Sequence, residues 1–195
     1  MIVCLMGPSG AGKSTLAKSM QSLHPDRFAR VPVDFFFVPR PAGVTVPRYV
    51  AAPFSYDWDA VDRALSRTGA ERSTPDCDFE TFVRRSESGG LPINEAPIYL
   101  MDGMRPHPRC DFLVMLELNP NEQRRRLVER DARWHTNVAD RESHLAATFA
   151  AGCAELPREP DLRLSATSEI EANAARLIGA LMVWAPWDSN PQPAD

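Results

Sequence analysis

Apolar positions along the chain fall into short unbroken runs separated by segments with helical spacing. Residues 2–6 (Ile-Val-Cys-Leu-Met) run straight into Gly7, the pattern of a strand covered on both faces. Residues 13–22 follow with Leu16, Ala17 and Met20 on one helical face. Val31, Pro32 and Val33 lead through Asp34 into Phe35, Phe36 and Phe37, a second strand that its proline should confine to a sheet edge. A helix over residues 57–66 would gather Val61, Ala64 and Leu65. Two more continuous runs, 98–101 and 112–116, close at Asp102-Gly103 and near Asn119-Pro120. Asn119 suits a helix cap with Pro120 in the first turn. Helices over 143–154 and 169–184 flank a short strand at 161–164, and 186–195 reads as a loose tail.

Strands alternating with helices predict an α/β fold: a five-stranded parallel sheet between two helical layers, in one domain over residues 1–185. Ligands of such sheets bind beyond the carboxyl ends of the strands. That rule brings the Gly7 loop, Asp34 and Asp102, distant in sequence, to a single rim.

Composition narrows the function classes. The 195 residues suffice for one sizeable core, and 44% of them are hydrophobic, near the globular average. No apolar run approaches the ~18 residues of a membrane span, and the apolar start lacks a basic segment and a cleavage site. The four cysteines, Cys4, Cys77, Cys110 and Cys153, form no Cys-x-x-Cys pair, which argues against a zinc site and fits reduced thiols in the cytoplasm. A net charge of -4 offers no broad basic field for nucleic acid, so a polyphosphate partner must be held locally.

Gly7-Pro8-Ser9-Gly10-Ala11-Gly12-Lys13-Ser14 matches G-x-x-x-x-G-K-[ST] at every fixed position, between an apolar strand and a helix. Glycines let consecutive N–H groups turn inward as an anion nest, and the helix start adds its positive dipole end. Lys13 can reach terminal phosphates and the Ser14 hydroxyl suits Mg2+, so Gly7 to Thr15 is the candidate site for ATP and Mg2+. Asp102, after an apolar run and before a glycine, is the candidate magnesium acid, with a turn or cap role as the alternative. Asp34, at a strand tip beside aromatics, suits a carboxylate that orients an acceptor hydroxyl and takes its proton; a turn role is again the alternative. Arg124, Arg125, Arg126, Arg130 and Arg133 form either a solvated basic face or, through the 126, 130 and 133 spacing, a row able to neutralise phosphoryl charge.

With these residues in place the chain resembles the uridine kinase-like group of P-loop kinases, over residues 1 to about 140. Asp34-Phe35-Phe36 looks like that family's Asp-x-Phe-Tyr motif, which implies Asp34 as the catalytic base. Tyr56-Asp57-Trp58-Asp59-Ala60 looks like its Phe-Asp-x-Pro-Asp-Ala segment, which implies that Asp57 contacts sugar hydroxyls of the acceptor. Asp78-Phe79 with Arg84 looks like its Tyr-Asp-Phe…Arg segment, adding these three to the substrate side. Met101-Asp102-Gly103 occupies the place of its Glu-Gly motif, and Arg125-Arg126 with Arg130-Asp131 looks like its lid motif. The resemblance implies a lid over about 130–142, with Arg130 and Arg133 closing on the phosphates. Cys77 and Phe82 stand where the family reads the tyrosine and histidine that recognise a pyrimidine. The expected activity is transfer of the ATP γ-phosphate to a hydroxyl of a nucleoside or other sugar-bearing small molecule. A monophosphate or antibiotic-type acceptor, served by Arg40, Arg48 and Arg84, is the alternative, and a nucleotide-dependent switch or assembly ATPase is the alternative of another class. The loop wording also resembles guanylate kinases and transporter ATPases, but a Leu-Ser-Gly-Gly-Gln signature is missing.

Overall fold

The computed structural model describes residues 1–50, 52–134 and 138–184, with side chains for all of these except 50, 131–134 and 138–142. Strands β1 (Ile2–Met6), β2 (Phe28–Pro32), β5 (Ile98–Asp102), β6 (Phe112–Glu117) and β7 (Leu162–Ser165) form one sheet in the order β2-β5-β1-β6-β7. Every neighbouring pair is parallel. β1 is central, flanked by β5 and β6, and its side chains alternate between two cores. Val3 and Leu5 join Leu16, Met20, Leu177 and Leu181 on one face. Cys4 and Met6 join Val31, Phe36, Val61 and Met101 on the other. The helices over these faces are α1 (Lys13–Leu23) and α6 (Ile170–Trp184) on the first and α3 (Trp58–Ser66) on the second. Sheet and helices therefore make the expected three layers.

The second strand differs from the sequence reading. It starts earlier, at Phe28, and ends at Pro32, while Val33–Phe36 winds into a single 3-10 turn. Pro32 sits at the edge as its missing N–H requires, because β2 pairs only with β5. Asp34 thus stands on a tight turn just past the strand.

Three elements have no counterpart in the hydrophobic pattern. A short helix α2 (Val46–Val50) precedes α3, and β3 (Ser73–Asp78) pairs with β4 (Val83–Pro92) as an antiparallel hairpin outside the main sheet. The helices α4 (Pro120–Trp134) and α5 (Val138–Ala154) complete the chain between β6 and β7, α5 beginning earlier than its apolar spacing suggests. The expected lid, apart from Arg130, and the tail at 186–195 lie outside the residues whose side chains are described. No helix among the described residues is long and apolar enough to cross a membrane.

Candidate active site

The turn from β1 into α1 adopts a conformation that its glycines permit. Gly10 and Gly12 adopt φ of 85° and 87°, and Gly12 caps α1 in the left-handed region. Gly7 meets a second constraint, since a Cβ there would lie 2.7 Å from the Leu116 carbonyl oxygen. Lys13 opens the helix and folds back, its Nζ donating to the carbonyls of Gly7 (2.7 Å) and Pro8 (3.0 Å). Ser14 and Thr15 face outward, where their hydroxyls are accessible.

Lys13 is buried, and that burial pulls its pKa below that of a free lysine. Asp34 and Asp102 push the other way, and Arg130 adds to the lowering. Two carboxylates and a guanidinium, from β2's exit, β5 and α4, therefore lie within electrostatic reach of one ammonium. This is the convergence that the rim rule requires.

Asp102 ends β5 and is 3% exposed. Arg30 of β2 forks onto it, Nε at 3.2 Å and 3.3 Å from its two oxygens and Nη2 at 2.9 Å. Burial raises the Asp102 pKa, while Arg30 and a hydrogen bond from the Ser14 hydroxyl oppose that rise. A hydroxyl and a buried carboxylate side by side form a hard oxygen pair that fits Mg2+, an ion that keeps several waters and takes few protein ligands. Arg30, which the sequence reading passed over, fixes the orientation of this acid.

Asp34 is exposed on its turn, and Tyr56 donates its phenolic O–H to Asp34 Oδ1 at 2.8 Å. Beyond it, Asp57 performs two structural tasks. Its Oδ1 accepts from the Ala60 N–H as the cap of α3, and its Oδ2 pairs with Arg84 Nη1 at 2.9 Å. Burial pulls its pKa up, but Arg84 and the Ala60 N–H outweigh that and hold it below the usual carboxylate value. Arg84, its side chain 5% exposed, also pairs with Glu87 at 3.2 Å and donates to the Phe37 carbonyl at 2.8 Å, clamping the hairpin to the 3-10 turn.

Asp78 and Phe79 lie where β3 turns into β4. Asp78 Oδ1 accepts from the N–H groups of Glu80 (2.9 Å) and Thr81 (3.2 Å), and Oδ2 pairs with Arg85, so its carboxylate builds the turn. Phe79 is 44% exposed and packs edge-on to Phe35, ring centroids 4.9 Å apart. Phe37 and Phe82 extend this aromatic wall, and Phe82 holds φ at 54°, unusual for a bulky residue. Cys77 turns its thiol to the Phe35 carbonyl at 3.1 Å.

On the other side, α4 grips the glycine loop. Gln123 Nε2 donates to the Ser9 carbonyl and Arg126 Nη1 to the Gly10 carbonyl, each at 3.1 Å, while Arg126 Nη2 reaches the Ala166 carbonyl at 2.9 Å. Arg130 Nη1 lies 3.1 Å from Ser9 Oγ. Arg125 is turned to Glu122 and Glu129. Arg133 is in α4, but its side chain falls outside those described. Among the described residues no three His, Cys, Asp or Glu side chains gather into a metal cage.

Comparison with known proteins agrees with this architecture. No family model matches the chain, and no curated protein matches it either. Among solved structures, a candidate fructose transport system kinase from a Silicibacter species superposes with a TM-score of 0.60 at 23% identity, covering 84% of this chain and 89% of the other. Shikimate kinase from Acinetobacter baumannii, solved with shikimate, superposes with a TM-score of 0.52 at 13% identity over 95% of each chain. The chain shares the three-layer α/β/α fold of these two structures.

Proposed function

We propose that this protein is an ATP-dependent kinase that phosphorylates a hydroxyl of a neutral small molecule, a nucleoside or related sugar-bearing compound. One observation carries the reading: Asp34, Asp102 and Arg130, from three elements, all act electrostatically on Lys13 at the rim beyond β1 and β5. ATP would supply the phosphoryl group, with Mg2+ to offset its charge, over Gly7 to Thr15. Lys13 and Arg130 would draw charge from the transferred group, and Ser14 with Asp102 would hold the metal, directly or through water. Asp34 would hold the acceptor hydroxyl and accept its proton as the new P–O bond forms. A switch or assembly ATPase has no need of an acceptor-side carboxylate such as Asp34.

Two of the three arginines that a monophosphate would use are already engaged, which supports a neutral acceptor. Arg84 is already matched by Asp57 and Glu87, and Arg40 is tied to the Thr81 and Val44 carbonyls. Asp57, whose carboxylate stays partly exposed beside Arg84, would accept hydrogen bonds from a vicinal diol, while exposed Phe79 offers a flat apolar surface. Cys77 and Phe82 supply few hydrogen bonds to a base edge, so uridine and cytidine should be poorly distinguished. The test is MgATP consumption with ribosides, their 2'-deoxy counterparts and non-nucleoside alcohols. Strong selection for uridine over every other riboside would refute the pocket reading. Phosphorylation restricted to acceptors without a diol would refute the role of Asp57, and ATP turnover indifferent to every alcohol would favour the switch.

A further inference from the structure

Tyr56 stands where the uridine kinase-like motif has phenylalanine, so its hydroxyl is an addition to that motif. The ring is 7% exposed and its backbone is fixed against the catalytic turn by a bridge between Phe37 and Tyr56 and by the Asp57 N–H on the Phe36 carbonyl at 2.7 Å. The Trp58 ring supports it at a centroid distance of 5.2 Å. From this anchored position the hydroxyl donates to Asp34 Oδ1 at 2.8 Å and faces the Met104 N–H, just past Asp102-Gly103, at 3.4 Å.

Among the described residues, the Asp34 carboxylate has the Tyr56 hydroxyl as its hydrogen-bond partner and the Lys13 ammonium within electrostatic reach. It sits exposed on one turn of 3-10 helix, where a carboxylate is free to rotate about its last torsion. A base acts efficiently only when the accepting oxygen is aligned with the proton, and small misplacements are costly. Burial raises the Tyr56 pKa well above the ordinary phenol value, and the charge of Asp34 raises it further, so the phenol keeps its proton and remains the donor.

We infer that Tyr56 is a positioning residue: it pins Oδ1 of Asp34 and thereby turns Oδ2 toward the acceptor hydroxyl. The inference rests on Asp34 being the base. A hydroxyl that merely tied two loops together would affect stability alike whatever stood at residue 34. A positioning hydroxyl matters to turnover only while the carboxylate is there.

The experiment is a double-mutant cycle with Tyr56→Phe and Asp34→Asn, reading MgATP turnover to water and to added uridine, with Tm recorded for each protein. Phenylalanine preserves the ring, so folding is retained. Tyr56→Phe is expected to lower kcat about tenfold, the scale of one hydrogen bond to a charged group, while KM for ATP stays within about twofold. In the Asp34→Asn background the same change is expected to add no further loss. Tyr56→Phe turnover within about twofold of wild type, beside a large loss for Asp34→Asn, would overturn the positioning role and leave the base intact. Equal losses from Tyr56→Phe in both backgrounds would likewise overturn it and make the residue structural. Unchanged turnover for Asp34→Asn would overturn the base assignment, and this inference with it.

Discussion

Lys13 is the residue whose removal has the most direct chemical consequence. Its ammonium bonds two loop carbonyls and has Asp34 and Asp102 within electrostatic reach. Lys13→Ala should keep the fold, judged by Tm, and lower turnover about a hundredfold or more, as when one preorganised charge is lost from a water-poor site. Near-wild-type turnover with unchanged ATP affinity would remove the phosphate-loop assignment. Asp102→Asn should raise the Mg2+ concentration giving half-maximal rate, because a hard cation prefers an anionic oxygen. An unchanged magnesium dependence would leave Asp102 as a structural partner of Arg30 alone. Identity at these positions was legible in the sequence, since Lys13, Asp34 and Asp102 each follow a recognisable run. Their partners were not: Arg30 meets Asp102 only through the β2–β5 pairing, and Tyr56 meets Asp34 only after α3 folds back on the 3-10 turn. Spacing along a chain carries no signal for contacts that tertiary packing creates.

At the scale of elements, hydrophobic runs revealed what is buried and little else. All five strands of the parallel sheet were legible, three of them as continuous apolar runs covered on both faces, although β2 was placed three residues too late. The hairpin was not. β4 reads Val-Arg-Arg-Ser-Glu-Ser-Gly-Gly-Leu-Pro and has no buried residue, and β3 carries a proline and irregular register. Such strands lie on the surface and are specified by turn and ion-pair contacts, chiefly Asp78 and Arg84, which lack a period. The arginine run reads either as a solvated basic face or as a row facing phosphate; one member, Arg126, bonds to the glycine loop itself. Arg126 joins Gly10, at the phosphate loop, to Ala166, just past β7. Arg126→Met keeps an unbranched apolar stem and removes both bonds. KM for ATP should rise about tenfold with a smaller change in kcat, since carbonyls left unpaired cost on the order of 1–3 kcal/mol each. Initial rates against ATP concentration check this; a fall in Tm with KM unchanged would mean that the loop holds its shape without α4.

The whole molecule has a titratable feature outside the rim. The fold carries two cores on opposite faces of one sheet, and His107, in the connection from β5 to β6, is buried beside the second at 2% exposure. Its ring stands edge-on to Trp58, centroids 5.1 Å apart, and its Nδ1 accepts the Arg109 N–H at 3.1 Å, which leaves the proton of the neutral ring on Nε2. Asp62 lies 3.3 Å from Nε2, at ion-pair distance but without hydrogen-bond alignment. Burial lowers the His107 pKa below 6.5, with Arg109 acting in the same direction and Asp62 only partly opposing. The sign follows from linkage: the unfolded chain binds the proton more readily than the folded one. The stability associated with neutral His107 is therefore complete above about pH 6.5 and is lost progressively as pH falls through the lower folded value. Asp57, with its depressed pKa, loses its contribution only below the ordinary carboxylate value of 3.8, outside that window. Asp102, with a raised pKa, acts in the opposite sense as it takes up a proton, so the wild-type curve alone is a sum. His107→Asn isolates the histidine, because asparagine Oδ1 can still accept the Arg109 N–H yet does not titrate. Between about pH 7 and about pH 5 the Tm of the wild type should fall more steeply than that of His107→Asn. Parallel curves would mean that His107 is either charged already or relieved by an opening of its pocket. A steeper fall in the variant would reverse the sign and show Asp62 to dominate over burial.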